Sequence, residues 1–557
     1  MSIIASVVLA LAATDVLHGR ALALFDRVDG TTVRTAEESR TVSLRAWRGE
    51  RVQAQVAVWS DAPQGNLALA AGDLTGPDGA VIPSANVLPR FLRTVRTVHN
   101  VGDTNTLLVG DCLDPSFARW PPEGFRVAWF TVEVPSGARP GRYTGTFTVR
   151  GASGSVAFPV GLSVSSGVLP PLAERKFFLD LWQHPWTVAQ YYGDRPFSPS
   201  HYAHMEPIYR ELGRGGQRVI GTAIVDLPWG EDYSHGRADI RTMVTTYRRA
   251  DRSFRYDFSV FDEFVSFAKR CGLGPQIHMY TILKFADHHI FYYTDEVTGE
   301  RSAAELVEGT KEYEAFLTPF LKALVAHLRE KGWLADARLA IDEAKADRLA
   351  KVLPFLERVA PELGIAFASN CDPAFFRGLS PRIDVFSQIL WNNIWTKPER
   401  EILFTPEFTA MRDERRAAGQ TTVFYICTEP RRPNTWFTSP LAEIEWIGLY
   451  CARMRYDGFL RWATFHWGND PFEHPEQKGY PTGEDFLIYP GGLASIRWEL
   501  LRDAMEDWEK IRVLRERGRV PAALERKLEA FDYPRILTDP PETTRALVES
   551  AMDEFYR

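Results

Sequence analysis

The rhythm of apolar positions changes once along the chain, near residue 170. Over residues 20–165, short runs alternate apolar and polar side chains or are rich in β-branched and aromatic residues: TVSLRAW, ERVQAQVAVWS, RVAWFTVEV, GRYTGTFTVR and SVAFPVGLSV. Turn-forming clusters separate them, among them Asp61-Ala-Pro-Gln-Gly65, Pro135-Ser-Gly137 and Pro140-Gly141. Alternation with period two marks strands that lay one face on a core, and this spacing predicts an antiparallel β-sandwich over residues 1–168. The stretch Ser165-Ser-Gly-Val-Leu-Pro-Pro171 reads as a linker.

Beyond it, continuous apolar runs take turns with helical patterns. Eight runs read as buried strands: FFLDLW (177–182), RVIGTAIV (218–225), PQIHMY (275–280), ARLAID (337–342), IAFAS (365–369), IDVFSQIL (383–390), TTVFYIC (421–427) and GFLRWATF (458–465). Segments such as FDEFVSFAKRCG, YEAFLTPFLKALVAHLREKG and AKADRLAKVLPFLERVA carry the 3.6-residue period of amphipathic helices between them. Eight such alternations predict a (β/α)8 barrel over 169–515, followed by a helical tail, 516–557, packed on the barrel. A doubly wound open sheet is the alternative, but no strand is followed by its glycine fingerprint. Glu506, Asp507 and Glu509, in the charged helix that ends the barrel, read as solvated. Residues 3–13 (IIASVVLALAA) are too short to span a bilayer. They fit either a remnant signal segment lacking its positive n-region or a first strand, which leaves the compartment open between cytoplasm and secretion or periplasm.

Composition narrows the function. The 557 residues carry a net charge of −7, which gives a nucleic-acid partner no global support. Aromatic residues reach 12%, with 16 Trp, an excess that suits stacking on ring-shaped ligands. Five scattered cysteines without C-x-x-C spacing support neither a disulfide framework nor a zinc knuckle, and Cys427 and Cys451 read as buried thiols. No phosphate-binding loop, nucleophile-elbow serine or dinucleotide fingerprint occurs.

Barrel enzymes project their chemistry from the C-terminal ends of the strands. In order, those ends carry Trp182-Gln183-His184; His278 and Tyr280; Asp342-Glu343; Asn370; Trp391-Asn392-Asn393; Tyr425, Glu429 and Asn434; and Trp462, His466, Trp467 and Asp470. Amides and carboxylates with large aromatics suit a polyhydroxylated ring, whose hydroxyls need hydrogen bonds and whose apolar face needs cover. The three histidines lack metal-ligand spacing, so no metal is expected. Asp342-Glu343 stands apart from other acidic dipeptides because it terminates an apolar strand, where a carboxylate must be paired or functional. Neighbours at a strand end point to opposite faces unless the chain turns there. That makes them an awkward pair to flank one bond, and better suited to a reaction in which the substrate's own 2-acetamido oxygen is the nucleophile.

These residues resemble glycoside hydrolase family 123. The resemblance rests on Ile341-Asp342-Glu343, Trp391-Asn392, Tyr425-Ile-Cys-Thr-Glu-Pro430, Arg432-Pro-Asn434, Gly458-Phe-Leu-Arg-Trp462, Gly483-Glu-Asp-Phe-Leu-Ile-Tyr-Pro-Gly491 and Ser495-Ile-Arg-Trp-Glu-Leu-Leu-Arg-Asp503. Leu179-Asp-Leu-Trp-Gln-His-Pro185 and Trp47-Arg-Gly-Glu-Arg-Val-Gln-Ala-Gln55 extend it, so that it spans residues 21–515. Ala344 departs from the proline that many members place after the acidic pair. The resemblance implies a β-sandwich and a (β/α)8 barrel, and a cofactor-free, retaining exo-β-N-acetylgalactosaminidase acting on β-GalNAc glycans by substrate assistance. It implies that Asp342 stabilises the acetamide and that Glu343 is the acid/base. Substrate contacts are expected from His278, Tyr280, Asn370, Trp391, Asn392, Tyr425, Asn434, Trp462, Trp467 and Asp470. β-N-Acetylglucosaminidase or dual activity is the near alternative. Residues 338–341, Arg-Leu-Ala-Ile, lack the His-x-Gly-Gly that the other Asp-Glu hexosaminidase family tends to carry there. A non-catalytic glycan-binding protein is the distant alternative.

Overall fold

The computed structural model describes residues 16–556 apart from 29, 36–38, 99–104, 228, 230–241, 285–288, 371–379, 391–404, 469 and 478–479. The chain forms two units, one of residues up to 94 with 110–169, the other of 95–109 with 170–555. The expected segment 3–13 lies outside the described residues.

The first unit stacks two sheets. One runs in the order His18–Leu22, Arg51–Trp59, Phe125–Glu133, Val87–Val98, Thr106–Asp114. The other runs Val42–Arg48, Gly154–Val168, Gly141–Gly151, Leu74–Thr75, Val81–Ile82, with Ala68–Ala71 also paired to Gly141–Gly151. Their facing side chains make the core, in which Phe130 of one sheet stacks on Phe147 of the other at 4.3 Å between ring centroids. The sandwich is not wholly antiparallel. Val42–Arg48 runs parallel to Gly154–Val168, a direction that period-two alternation does not encode. That last strand also continues through Val168, so most of the expected linker is strand.

The second unit contains all eight expected barrel strands: Phe178–Leu181, Val219–Ala223, Gln276–Tyr280, Ala337–Asp342, Gly364–Ser369, Val385–Ile389, Thr421–Ile426 and Gly458–Arg461. They pair in parallel in the cyclic order 1-8-7-6-5-4-3-2. Between strands 1 and 2 the ladder thins to a bridge at Leu179–Gln217. There the fully buried amide of Gln217 stands in for backbone, accepting from Leu181 N at 3.0 Å and donating to Leu181 O and Val219 O at 2.9 and 2.8 Å. Helices cover the outside, but between strands 5 and 6 the described residues hold a 3-10 turn, Ser380–Arg382, instead of a helix. A four-stranded sheet absent from the expectation (Thr245–Arg248, Phe254–Asp257, Ile290–Asp295, Arg301–Glu305) is inserted in the connections after strands 2 and 3.

The helix Ile496–Glu516 starts at Ser495, whose hydroxyl accepts from Trp498 N at 3.0 Å. It corrects one expectation. Glu506, Asp507 and Glu509 are buried, at 3%, 2% and 0% exposure, because each has a partner inside. Glu509 accepts from the backbone N–H of Lys176 and Phe177, Glu506 pairs with Arg175 at 2.8 Å, and Asp507 with Lys510 at 2.7 Å. Facing it, Gly448 of helix Ala442–Met454 leaves no room for a side chain, since a Cβ there would lie 2.1 Å from Ala504 O. The tail adds helices Ala522–Leu528, Tyr533–Ile536 and Pro541–Met552, the last packed on Ala442–Met454. No helix among the described residues is long and apolar enough to cross a membrane.

Candidate active site

Strand 4 carries the pattern Arg338-Leu-Ala-Ile-Asp342, and its last residue opens on a cavity of about 130 Å3 at the C-terminal end of the barrel. Asp342 and Glu343 both line it, with Trp182 and Trp229 on one side and Tyr425, Cys427 and Thr428 on another. Leu460, Trp462 and Tyr480 complete the wall. Consecutive residues of a regular strand face opposite ways, so two adjacent carboxylates in one cavity require a break in the pleat. Glu343 supplies it: its φ is +43°, in the left-handed region, while its N–H still donates to Ala368 O of strand 5 at 2.8 Å. A side chain there costs about 1–3 kcal/mol. The strain sits on the residue whose carboxyl the turn delivers.

The two carboxyls are held by different groups. Trp229 donates its indole N–H to Asp342 Oδ2 at 2.8 Å, and its ring stacks on Trp182 with centroids 5.0 Å apart and planes 14° apart. Tyr425 donates its hydroxyl to Glu343 Oε1 at 2.5 Å, and Asn370 donates its amide to Oε2 at 2.9 Å. Burial pushes the Asp342 carboxyl well above the usual carboxylate range; the adjacent charge of Glu343 adds to this and the Trp229 N–H opposes it. Burial also raises Glu343, against the bonds from Tyr425 and Asn370. Two buried neighbours of like charge resist ionising together, so the pair favours holding one proton, the state that general acid–base work needs.

The remaining expected contacts divide. Trp462 reaches the cavity, its indole N–H fixed on the buried Glu484 at 2.5 Å. Tyr280 packs edge-on against Trp182 at 5.4 Å, behind the wall. His278 lies deeper: it is 1% exposed, bonded to Gln276 at 3.0 Å, and burial with Arg338 holds its imidazole down at about 3. Asn434 is fully buried and spent on its own loop, donating to Cys427 O and Pro430 O at 2.9 and 2.7 Å. Trp467 is core, 1% exposed, with its N–H on Ile488 O at 2.7 Å, and His466 beside it is also buried. The Asp470 carboxylate caps a turn, accepting from Phe472 N at 2.9 Å. Trp391 and Asn392 lie outside the described residues.

Cys427, read as a buried thiol, is half-exposed and lines the cavity, although burial of its thiol still raises it to about 12. Trp229 and Tyr480 went unrecognised because they stand in loops without periodicity. The signal for Trp229 is a tryptophan in Asp226-Leu-Pro-Trp229, just past the end of strand 2.

Residues 182–514 match the model of the glycoside hydrolase 123 catalytic domain, and residues 27–151 match that of the glycoside hydrolase 123 N-terminal domain. Comparison with curated proteins gave no match. Among solved structures, a family 123 glycoside hydrolase from Clostridium perfringens, described for glycolipid glycan hydrolysis, superposes with a TM-score of 0.85 at 22% identity, covering 97% of each chain. That likeness establishes the shared fold. An endo-β-1,4-mannanase from Thermotoga petrophila reaches a TM-score of 0.32 at 12% identity over 61% of this chain and 78% of its own, too low to carry an argument.

Proposed function

Since the chain belongs to glycoside hydrolase family 123, we propose that this glycosidase is a retaining exo-β-N-acetylgalactosaminidase working by substrate assistance. The observation that carries the reading is the turn at Glu343, which brings two neighbouring carboxyls into one tryptophan-lined cavity.

In the first step the acetamide oxygen attacks C1 from the face opposite the leaving group. The C1–oxygen bond to the aglycone breaks, and Glu343 gives its proton to the departing oxygen. Asp342, steadied by Trp229, accepts the acetamide N–H and stabilises the positive charge of the oxazolinium that forms. In the second step Glu343 takes a proton from water, which attacks C1 and opens the ring with net retention. Tyr425 and Asn370 orient Glu343 throughout.

A panel of para-nitrophenyl β-GalNAc, β-GlcNAc and β-Gal tests sugar and mechanism together. The expected result is hydrolysis of β-GalNAc, β-configured product by NMR, and no turnover of β-Gal. Full activity on β-Gal, or rescue of Asp342→Ala by azide as an inverted glycosyl azide, means a protein nucleophile and overturns substrate assistance. Preference for β-GlcNAc reassigns the sugar. Binding of GalNAc without hydrolysis of any glycoside makes the chain a glycan-binding protein.

A further inference from the structure

Strand 7 feeds directly into the cavity: after Tyr425 come Cys427 and Thr428, which form its wall, and then a loop that folds back on itself through Asn434. One side chain of that loop reaches outward. The guanidinium of Arg432 donates through Nε to Glu443 Oε1 at 2.5 Å, through Nη1 to Asp539 O, and through Nη2 to Thr544 Oγ1 at 3.2 Å. Glu443 is fully buried in helix Ala442–Met454, whereas Asp539 and Thr544 belong to the C-terminal tail, Thr544 lying in the first turn of its last helix. The tail is itself anchored: Phe531 approaches Trp446 at 6.2 Å and Tyr533 approaches Tyr450 at 6.4 Å, and Val548 and Ala551 are fully buried. It also lies past residue 514, where the match to the catalytic-domain family ends, so the family assignment says nothing about its role.

We infer that the C-terminal tail is a positioning element of the active site, holding the 427–434 loop against the cavity through Arg432. The charge-assisted bonds of one guanidinium tie the loop to two tail groups, in addition to its bond to Glu443 of helix Ala442–Met454. The tail touches no reacting atom, and its effect reaches the substrate through the wall formed by Cys427 and Thr428. The inference rests on this cavity being the active site, but its first readout does not depend on activity.

The experiment compares full-length Arg432→Lys, Arg432→Ala and Thr544→Val with Arg416→Ala. Arg416 likewise bridges other segments, bonding Asp457, Asp413 and Arg455 O, but does so away from the cavity. Peptide-resolved hydrogen exchange over 427–434 is expected to speed up at least fivefold in both Arg432 variants and twofold or more in Thr544→Val. It should stay unchanged in Arg416→Ala. Steady-state kinetics on the glycoside that the wild type cleaves should show KM raised at least fivefold in the Arg432 variants, with kcat within about twofold. Lysine keeps the charge on Glu443 but cannot reach both tail groups, so rescue by Arg432→Lys would make the role one of charge neutralisation and overturn the proposal. Unchanged exchange in Arg432→Lys and Thr544→Val, or an equal change in Arg416→Ala, overturns it as well, even if Arg432→Ala does not fold. A wild type inactive on every glycoside defeats the functional reading alone and leaves the exchange result standing.

Discussion

Trp229 and Asp342 stand 113 residues apart in sequence, yet the indole N–H of one lies 2.8 Å from the carboxylate of the other. The bond orients the carboxyl to which the proposed mechanism gives the acetamide, and it favours the charged form of a carboxyl that burial drives toward neutrality. Trp229→Phe retains most of the stack on Trp182 and removes the donor. A donor aimed directly at charge developing in the transition state is worth about 10²–10³ in kcat. Acting at one remove, this one should cost 10–100-fold in kcat on para-nitrophenyl β-GalNAc, with KM changed less than threefold.

Tyr425→Phe removes a donor to the ionised form of Glu343. Losing it raises the carboxyl further, so the acid form persists to higher pH. The alkaline limb of the kcat/KM profile should move up by about one pH unit while the maximum falls about tenfold. A limb that stays in place would separate Tyr425 from the titration of the pair.

Two tryptophans close in sequence should behave oppositely. Trp462→Phe loses cavity wall and its anchor on Glu484 and should raise KM about tenfold. Trp467→Phe leaves a buried carbonyl without its donor and should lower stability by about 1–3 kcal/mol in denaturant titration with KM unchanged.

Asp180, fully buried on strand 1, is pushed by desolvation from the usual 3.8 of its carboxyl up to about 7. Below pH 3.8 both folded and unfolded chains hold its proton. Between there and pH 7 the unfolded chain releases the proton while the folded one retains it, so stability declines across that window and flattens above it. Asp180→Asn removes the dependence. The gain of the variant over wild type, read by calorimetry, should grow from pH 4 to pH 8 by an amount of order 4 kcal/mol.

Gly448→Ala drives a methyl into the carbonyl of Ala504 and should destabilise the packing of the two helices by about 2–3 kcal/mol. Thermal unfolding gives the direct measurement.

The barrel was legible because parallel strands are buried on both faces and read as unbroken apolar runs, so Ala337–Asp342 and Thr421–Ile426 match the sequence to within a residue. Asp342 and Glu343 were legible for the same reason, as charges at the end of such a run. What failed was whatever depends on three-dimensional partners. Glu509 looks solvated until two backbone N–H groups arrive from residues 176 and 177. Asn434 and Trp467, expected at the sugar, spend their donors on backbone carbonyls, Asn434 on those of Cys427 and Pro430 and Trp467 on that of Ile488. The direction of Val42–Arg48 and the turn at Glu343 leave no trace in periodicity.

With Glu343 as the proposed acid/base, its left-handed backbone sets catalysis against thermodynamic advantage. Glycine or asparagine would occupy φ +43° with less strain than glutamate does, so Glu343→Gly should abolish turnover and yet leave the fold as stable or more stable. A lineage released from the need to hydrolyse glycosides would meet no penalty in drifting to those residues. An otherwise intact barrel with glycine or asparagine at this position is therefore the form that a retired enzyme of this architecture should take.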